Sequence, residues 1–113
     1  MHEMALAESI VGIIEAEAKR QRFTRVKGVW LEIGALAAVE PEALRFAFDV
    51  VTRGTVAEQA LLEIIATEGR AWCYQCEREV AVTSRIEPCP RCGSHQLHVQ
   101  GGDQMRIKEL EVE

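Results

Sequence analysis

Four cysteines lie close together in the second half of the chain, in the pattern C-x2-C-x12-C-x2-C: Cys73, Cys76, Cys89 and Cys92. Two residues between paired cysteines let both thiolates turn toward one point, and a reversal of the intervening chain brings the two pairs together. Four thiolates are the donor set of a closed tetrahedral zinc site, which leaves no position for a catalytic water. The pattern therefore predicts structural zinc; redox-active thiols and an iron centre are the alternatives.

The segment around the cysteines, residues 70–102, is rich in Cys, Pro, Gly and charge and has few large aliphatic residues. Such a segment cannot build a sufficient core, whereas structural zinc contributes about 10 to 16 kcal/mol of apparent folding free energy. Pro88 and Pro90 stiffen the second cysteine pair, and Gly93 permits a positive φ. His95 and His98 follow the last cysteine, either as exposed histidines or as auxiliary ligands that respond to pH.

The chain begins Met1-His2-Glu3, which places an imidazole beside an expected free α-amine. That amine has an ordinary pKa of about 7.7 to 8.0, so both groups can bind a metal near neutral pH. The backbone nitrogen of His2 lies between them, and the amide nitrogen or carboxylate of Glu3 can supply a fourth donor. Several nitrogen donors in one plane favour Ni(II) or Cu(II). Taken alone, however, a histidine at position 2 is more often unrelated to metal.

The elements that must position these groups can be read from periodicity. A helix is predicted from Met4 to about Arg22, because apolar residues recur at helical spacing: Met4, Ala7, Val11, Ile14 and Ala18, widened by Leu6, Ile10 and Ile13. VKGVWLEIG alternates as a half-buried strand does. Pro41 begins a second helix that Gly54 ends. A cap for this helix is one of two roles that Glu40 can have. ALLEIIATEG and QMRIKELEV supply two more strands.

This order predicts an α+β fold, with two helices on a small three-stranded sheet and a zinc-ribbon-like module inserted before the last strand. Residues 1–69 plus 103–113 would form one domain and residues 70–102 the zinc-binding module. The short connections near Arg70 and Gly101–Gly102 make a domain-swapped homodimer conceivable beside a monomer.

Composition narrows the function classes. The 113 residues are 48% hydrophobic and 27% charged, and 18 acidic against 13 basic side chains give a formal charge of −5. This acidic balance argues against nucleic-acid binding, and the apolar runs are too short to cross a membrane. No secretory signal is recognisable before the first helix, so we expect a cytoplasmic protein.

Four stretches together resemble the HypA/HybF family of hydrogenase nickel-incorporation proteins: MHEMALAESI, VWLEIGALAAVEPEALRFAF, the four-cysteine module and GGDQMRIKELEVE. The resemblance implies a metallochaperone that delivers Ni(II) to the [NiFe]-hydrogenase large subunit and works with the nickel-handling GTPase HypB. It implies zinc at the four cysteines and nickel at the amino terminus, with His2 as the essential side chain. Glu3 matches the family motif, and Glu40 matches an acidic residue that some relatives place near the nickel.

The chain is not expected to be an enzyme, because its cysteines are assigned to zinc and it has no phosphate-binding glycine loop. Two rival functions remain open from the residues alone. One is a zinc-ribbon interaction module that does not handle nickel; the other is a thiol redox protein that holds no metal.

Overall fold

A computed structural model describes residues 2–113 of the chain. It contains two helices and six strands, in the order α1 (Glu3–Gln21), β1 (Val26–Gly34), α2 (Pro41–Val51), β2 (Leu61–Thr67), β3 (Gly69–Cys73), β4 (Arg78–Val82), β5 (Leu97–Gly101) and β6 (Met105–Val112). Neither helix combines the length and the hydropathy needed to cross a membrane within the described residues.

The first predicted helix is confirmed as α1, and the residue that caps its end, Arg22, adopts a left-handed conformation with φ 60°. Its buried face consists of Ala7, Ile10, Val11, Ile14 and Ala18. The prediction that Met4 and Ile13 belong to this face is wrong, because their side chains are 43% and 52% exposed. At about 100° per residue, Ile13 lies about 120° around the helix from the middle of the buried arc.

Helix α2 begins at Pro41, as predicted, and contacts α1; its buried residues are Leu44, Ala47 and Phe48. It ends earlier than the predicted stop at Gly54. Thr52 is the last capping residue, and its buried hydroxyl donates to the Phe48 carbonyl at 2.8 Å. The Thr52 backbone N–H donates to the same carbonyl at 3.0 Å, so Thr52 rather than the predicted glycine caps this helix.

Two three-stranded sheets are present, with strand orders β2-β1-β6 and β4-β3-β5. The first is the predicted sheet, and the last segment of the chain supplies its third strand as expected. The second sheet, within the cysteine-rich segment, was not predicted. Its strands are antiparallel and only five residues long, with Ala71 opposite both Val80 and Val99. So few apolar residues per strand give only a weak alternation signal.

The chain divides into two compact units. The helical unit comprises the described residues up to Leu31 together with Val39–Ile64 and Ile107–Glu113; the cysteine unit comprises Glu32–Ala38 and Ile65–Arg106. The core of the cysteine unit contains Leu36, Ala71, Cys73, Val80, Val82 and Cys89. The predicted α+β class with a four-cysteine module is confirmed, whereas the division into a nickel-binding domain (1–69 plus 103–113) and a zinc-binding module (70–102) stays a prediction.

Glycines permit close backbone packing inside the cysteine unit. The Leu36 N–H donates to the Gly102 carbonyl at 2.7 Å, and the Gly34 N–H donates to the Gln104 carbonyl at 2.9 Å. Gly102 has φ +77°, and a Cβ there would lie 2.3 Å from the Glu68 carbonyl oxygen. The Ala35 N–H also donates to the Thr67 carbonyl at 2.9 Å, so the segment that carries Leu36 is fixed to the chain on both sides of the cysteine-rich insert.

Candidate functional site

The structure brings the four cysteines of the C-x2-C-x12-C-x2-C pattern together. Cys73 is the last residue of β3, Cys76 lies in the turn before β4, and Cys89 and Cys92 lie in the connection between β4 and β5. Their sulfur atoms all lie within 4.8 Å of one another. Two turns that are 12 residues apart in sequence therefore present one group of four sulfur donors.

Each cysteine pair sits on a turn of the same kind, which we call a knuckle. In the first, the Cys76 N–H lies 3.4 Å from the Cys73 sulfur, and the Glu77 N–H donates to the Cys73 carbonyl at 2.8 Å. In the second, the Gly93 N–H donates to the Cys89 carbonyl, also at 2.8 Å. The residue after each pair has a positive φ, 53° at Glu77 and 76° at Gly93. The predicted positive φ of Gly93 is therefore confirmed.

Crowding of the thiols changes their acidity. Hydrogen bonding to the Cys92 side chain, with burial next in importance, raises the pKa of the Cys76 thiol to about 12. Burial also opposes ionisation of Cys89, but backbone N–H groups at Cys92 and Arg91 outweigh it and lower the pKa of the Cys89 thiol to about 6. Neighbouring thiols thus do not all ionise together without a cation. A divalent metal would supply the missing charge, and an all-sulfur donor set suits Zn(II).

The two histidines after the last cysteine lie outside this sulfur cluster. His95 and His98 are both exposed, and the group of adjacent potential ligands in residues 2–113 contains the cysteines alone. His98 pairs with Trp72 in the second sheet, one position from Cys73 along strand β3. Their roles as auxiliary ligands stay predictions.

At the amino terminus, His2 is exposed and precedes the first turn of α1. Its carbonyl accepts the Leu6 N–H at 2.9 Å, while its imidazole makes no capping hydrogen bond to the helix. The imidazole is thus not occupied in holding the helix end. The predicted ligand at the Met1 amine lies outside the described residues.

Glu3 and Glu40 are connected in the helical unit. The Glu3 carboxylate accepts the backbone N–H of Glu40 at 3.0 Å, and this hydrogen bond holds the pKa of the Glu3 carboxyl below its ordinary value. The Glu40 side chain in turn accepts the Glu42 N–H at 3.2 Å. Glu40 is therefore the cap of α2, one of the two roles expected for it; its role as an auxiliary nickel ligand stays a prediction. The link between Glu3 and the backbone of Glu40 was not predicted, because nothing in the sequence signals a contact between residues 37 positions apart.

Comparison with known proteins identifies the chain's family. Residues 1–112 match the family model described as "Hydrogenase/urease nickel incorporation, metallochaperone, hypA". The chain belongs to the HypA family. It is 59% identical to the hydrogenase maturation factor HypA of Azotobacter chroococcum mcd 1 and 60% identical to that of Bradyrhizobium sp. (strain ORS 278), over the whole length of both partners in each case.

Solved structures share the fold. A solution structure of the nickel metallochaperone HypA from Helicobacter pylori superposes with a TM-score of 0.71 at 24% identity, covering 99% of this chain and 97% of that one. A second HypA solution structure gives 0.69 at 25% identity, covering 99% and 96%. The HypA family consists of metallochaperones for nickel incorporation and hydrogenase maturation. The expected function class and the expectation that the chain is not an enzyme are thereby confirmed.

Proposed function

We propose that this HypA-family chain binds Ni(II) at its amino terminus and delivers it to the [NiFe]-hydrogenase large subunit. The observation that carries the proposal is the match of residues 1–112 to the nickel-incorporation family. The exposed His2 imidazole, which makes no capping hydrogen bond, supports the location. His2 would bind through its imidazole, together with the Met1 amine and the intervening backbone nitrogen. A planar nitrogen set favours Ni(II) over Mg(II) or Zn(II).

The contacts of Glu3 and Glu40 suggest how they would contribute. The Glu3 carboxylate is already a hydrogen-bond acceptor for the Glu40 N–H, so we assign any bond from Glu3 to nickel to its amide nitrogen. The Glu40 carboxylate caps α2 through the Glu42 N–H, and it stays an auxiliary ligand candidate only. The two carboxylates would thus mainly hold the helix ends beside which His2 is placed.

We propose that the four cysteines hold one structural Zn(II). Their sulfur atoms lie within 4.8 Å of one another, and Cys73 and Cys89 are part of the cysteine unit's core. Bound zinc would neutralise the thiolates and join the two knuckles, and with four sulfur ligands it would leave no position for a catalytic water. Cys73, Cys76, Cys89 and Cys92 would all be ligands.

We also propose partners, a location and an oligomeric state for the chain. The partners are the hydrogenase large subunit as nickel acceptor and the GTPase HypB as a nickel-handling protein; nucleic acid and membrane are not partners. The protein acts in the cytoplasm as a monomer or homodimer. The formal charge of −5 supports a surface that meets cations and proteins rather than nucleic acid.

Calorimetric titration of the zinc-loaded, untagged protein with Ni(II) tests the amino-terminal site. One site per chain is expected, and it should be lost or strongly weakened both in His2→Ala and in a protein with one residue added before Met1. His95→Ala and His98→Ala are matched controls for the removal of an imidazole. Nickel binding that survives both terminal changes contradicts the proposal, whereas loss in the controls assigns the site to the later histidines.

A transfer assay tests delivery. The nickel-loaded chain is mixed with nickel-free hydrogenase large subunit, with and without HypB, and nickel in the large subunit is measured after separation. Wild type should transfer nickel, and His2→Ala should not exceed the rate seen with free Ni(II) at the same concentration. Transfer from His2→Ala equal to that from wild type would refute the role of the terminus.

A further inference from the structure

The four cysteine residues differ in their exposure to solvent. Cys73 and Cys89 are buried in the core of the cysteine unit, at 0% and 2% exposure, and Cys76 is half-buried. Cys92 is the exposed member of the group. The susceptibility of cysteine to oxidation follows both its thiolate character and its exposure. Cys89 has the lowered pKa but is buried in the core, so a small oxidant that approaches from solvent meets Cys92 first.

Two close sulfur contacts run between the knuckles. The Cys92 sulfur lies 3.6 Å from that of Cys73, and the Cys76 sulfur lies 3.8 Å from that of Cys89. Within each knuckle, a backbone N–H lies 3.4 Å from the sulfur of the first cysteine, from Cys76 in one and Arg91 in the other. The sulfur of each first cysteine, Cys73 or Cys89, therefore contacts both its own turn and one sulfur of the other knuckle.

We propose that Cys92 is a peroxide-reactive thiol whose oxidation joins it to Cys73 in a disulfide and opens the metal site. The Cys92 thiolate attacks one oxygen of hydrogen peroxide, the O–O bond breaks, and a sulfenic acid and hydroxide are formed. The Cys73 thiolate then attacks the Cys92 sulfur, the S–S bond forms, and the second oxygen leaves as hydroxide. The two sulfurs together lose two electrons, and one peroxide is reduced.

The consequence for metal follows from the ligand count. Since Cys73 and Cys92 come from different knuckles, one disulfide removes a thiolate from each and leaves Cys76 and Cys89 as the remaining pair. Two thiolates are a poor structural zinc site, so an ion held by the four cysteines would be released. A second equivalent of peroxide can join Cys76 to Cys89 in the same way. This release step rests on the proposed zinc site; the order of disulfide formation does not.

To test the proposal, the purified protein is treated with hydrogen peroxide. Released zinc is measured with a chromogenic chelator, and disulfides are mapped by non-reducing peptide mass spectrometry. The first product should be the Cys73–Cys92 disulfide, with about one zinc released per disulfide and recovery after a thiol reductant and Zn(II). A sulfenic-acid trap should label Cys92 first. A first disulfide within a knuckle, Cys73–Cys76 or Cys89–Cys92, would overturn the proposal.

Two variants distinguish the peroxide reactivity of Cys92 from the loss of one proposed zinc ligand. Cys92→Ser and Cys89→Ser each leave three thiolates, but only Cys92→Ser removes the exposed cysteine. We expect oxidation of Cys92→Ser to be roughly tenfold slower than that of Cys89→Ser, because the thiol removed from Cys89→Ser is buried and out of reach of the oxidant, whereas Cys92 is exposed. Equal rates would contradict the role of Cys92. Protein that contains no zinc as purified would refute the zinc assignment alone, because disulfide order and trapping are measured without the ion.

Discussion

The carboxylate of Glu3 accepts a hydrogen bond from the backbone N–H of Glu40 at 3.0 Å. Glu3 is the first residue of α1, and Glu40 is the cap of α2. The bond therefore joins the beginning of one helix to the beginning of the other. Because His2 immediately precedes Glu3, the contact restricts where the proposed nickel ligand is placed.

Substitution of Glu3 should show whether its carboxylate positions the amino terminus or binds nickel. Glu3→Gln keeps an oxygen that can accept the Glu40 N–H, whereas Glu3→Ala does not. A typical hydrogen bond contributes about 1 kcal/mol, so we expect nickel affinity to fall roughly fivefold in Glu3→Ala and to change little in Glu3→Gln. Calorimetry with Ni(II) measures both. Equal losses in the two variants would instead assign the carboxylate as a ligand; Glu8→Ala, an exposed glutamate of the same helix, is the control.

Glu40 can be examined in the same way, because its carboxylate caps α2 through the Glu42 N–H. Glu40→Gln retains an acceptor for that N–H but removes the charge, and Glu40→Ala removes both. If Glu40 is only a cap, Glu40→Gln should match wild type in nickel affinity, and Glu40→Ala should lose about 1 kcal/mol of unfolding free energy. Denaturant unfolding and nickel titration are the measurements. A strong loss of nickel affinity in Glu40→Gln would show that the carboxylate takes part.

Gly102 and Gly54 form a matched pair of glycines. Both have positive φ, +77° and +79°, but a Cβ at Gly102 would lie 2.3 Å from a carbonyl oxygen and one at Gly54 would meet nothing within 4 Å. Gly54→Ala should cost about 1 to 2 kcal/mol from the backbone conformation alone. Gly102→Ala should cost clearly more, because the backbone must also shift. Equal midpoints in denaturant unfolding would show that the close contact is not a constraint.

The sequence predicts the cysteine site well, since each knuckle is formed by residues within a few positions of one another. It also predicts both helices and the first sheet, where apolar periodicity is strong. It does not predict the Glu3–Glu40 bond or the burial of Leu36 beside Cys73 and Cys89, because long-range contacts depend on the arrangement of the folded chain. The exposure of Ile13 was missed because the buried arc of α1 is narrower than its apolar stripe.

Glu17 provides a test of electrostatics on α1. The Arg20 guanidinium at 2.7 Å and the Gln21 amide at 2.6 Å donate to its carboxylate and hold the pKa of the Glu17 carboxyl below its ordinary value. The folded state gains its full stabilisation from these contacts above the ordinary, unfolded-state carboxyl pKa of about 4.3. This stabilisation is lost as the pH falls through the lower pKa that Glu17 has in the folded state. Carboxyl-carbon NMR titration should show this low pKa in wild type and a rise in Arg20→Ala. An unchanged value would contradict the ion pair; Arg53→Ala is the control.

Amide hydrogen exchange at Leu36 tests whether this residue belongs to the helical unit or to the cysteine unit. The sequence-based boundary assigns residues 1–69 to one domain, which would group Leu36 with Ile10 and Val29. The packing instead places Leu36, 4% exposed, in the core of the cysteine unit with Val80. If a structural metal holds that core, removal of zinc by a chelator should greatly increase amide hydrogen exchange at Leu36 and Val80 together. Exchange at Ile10 should increase less. Exchange at Leu36 that instead follows Ile10 would favour the boundary at residue 69, because Leu36 would then not depend on the metal-built core.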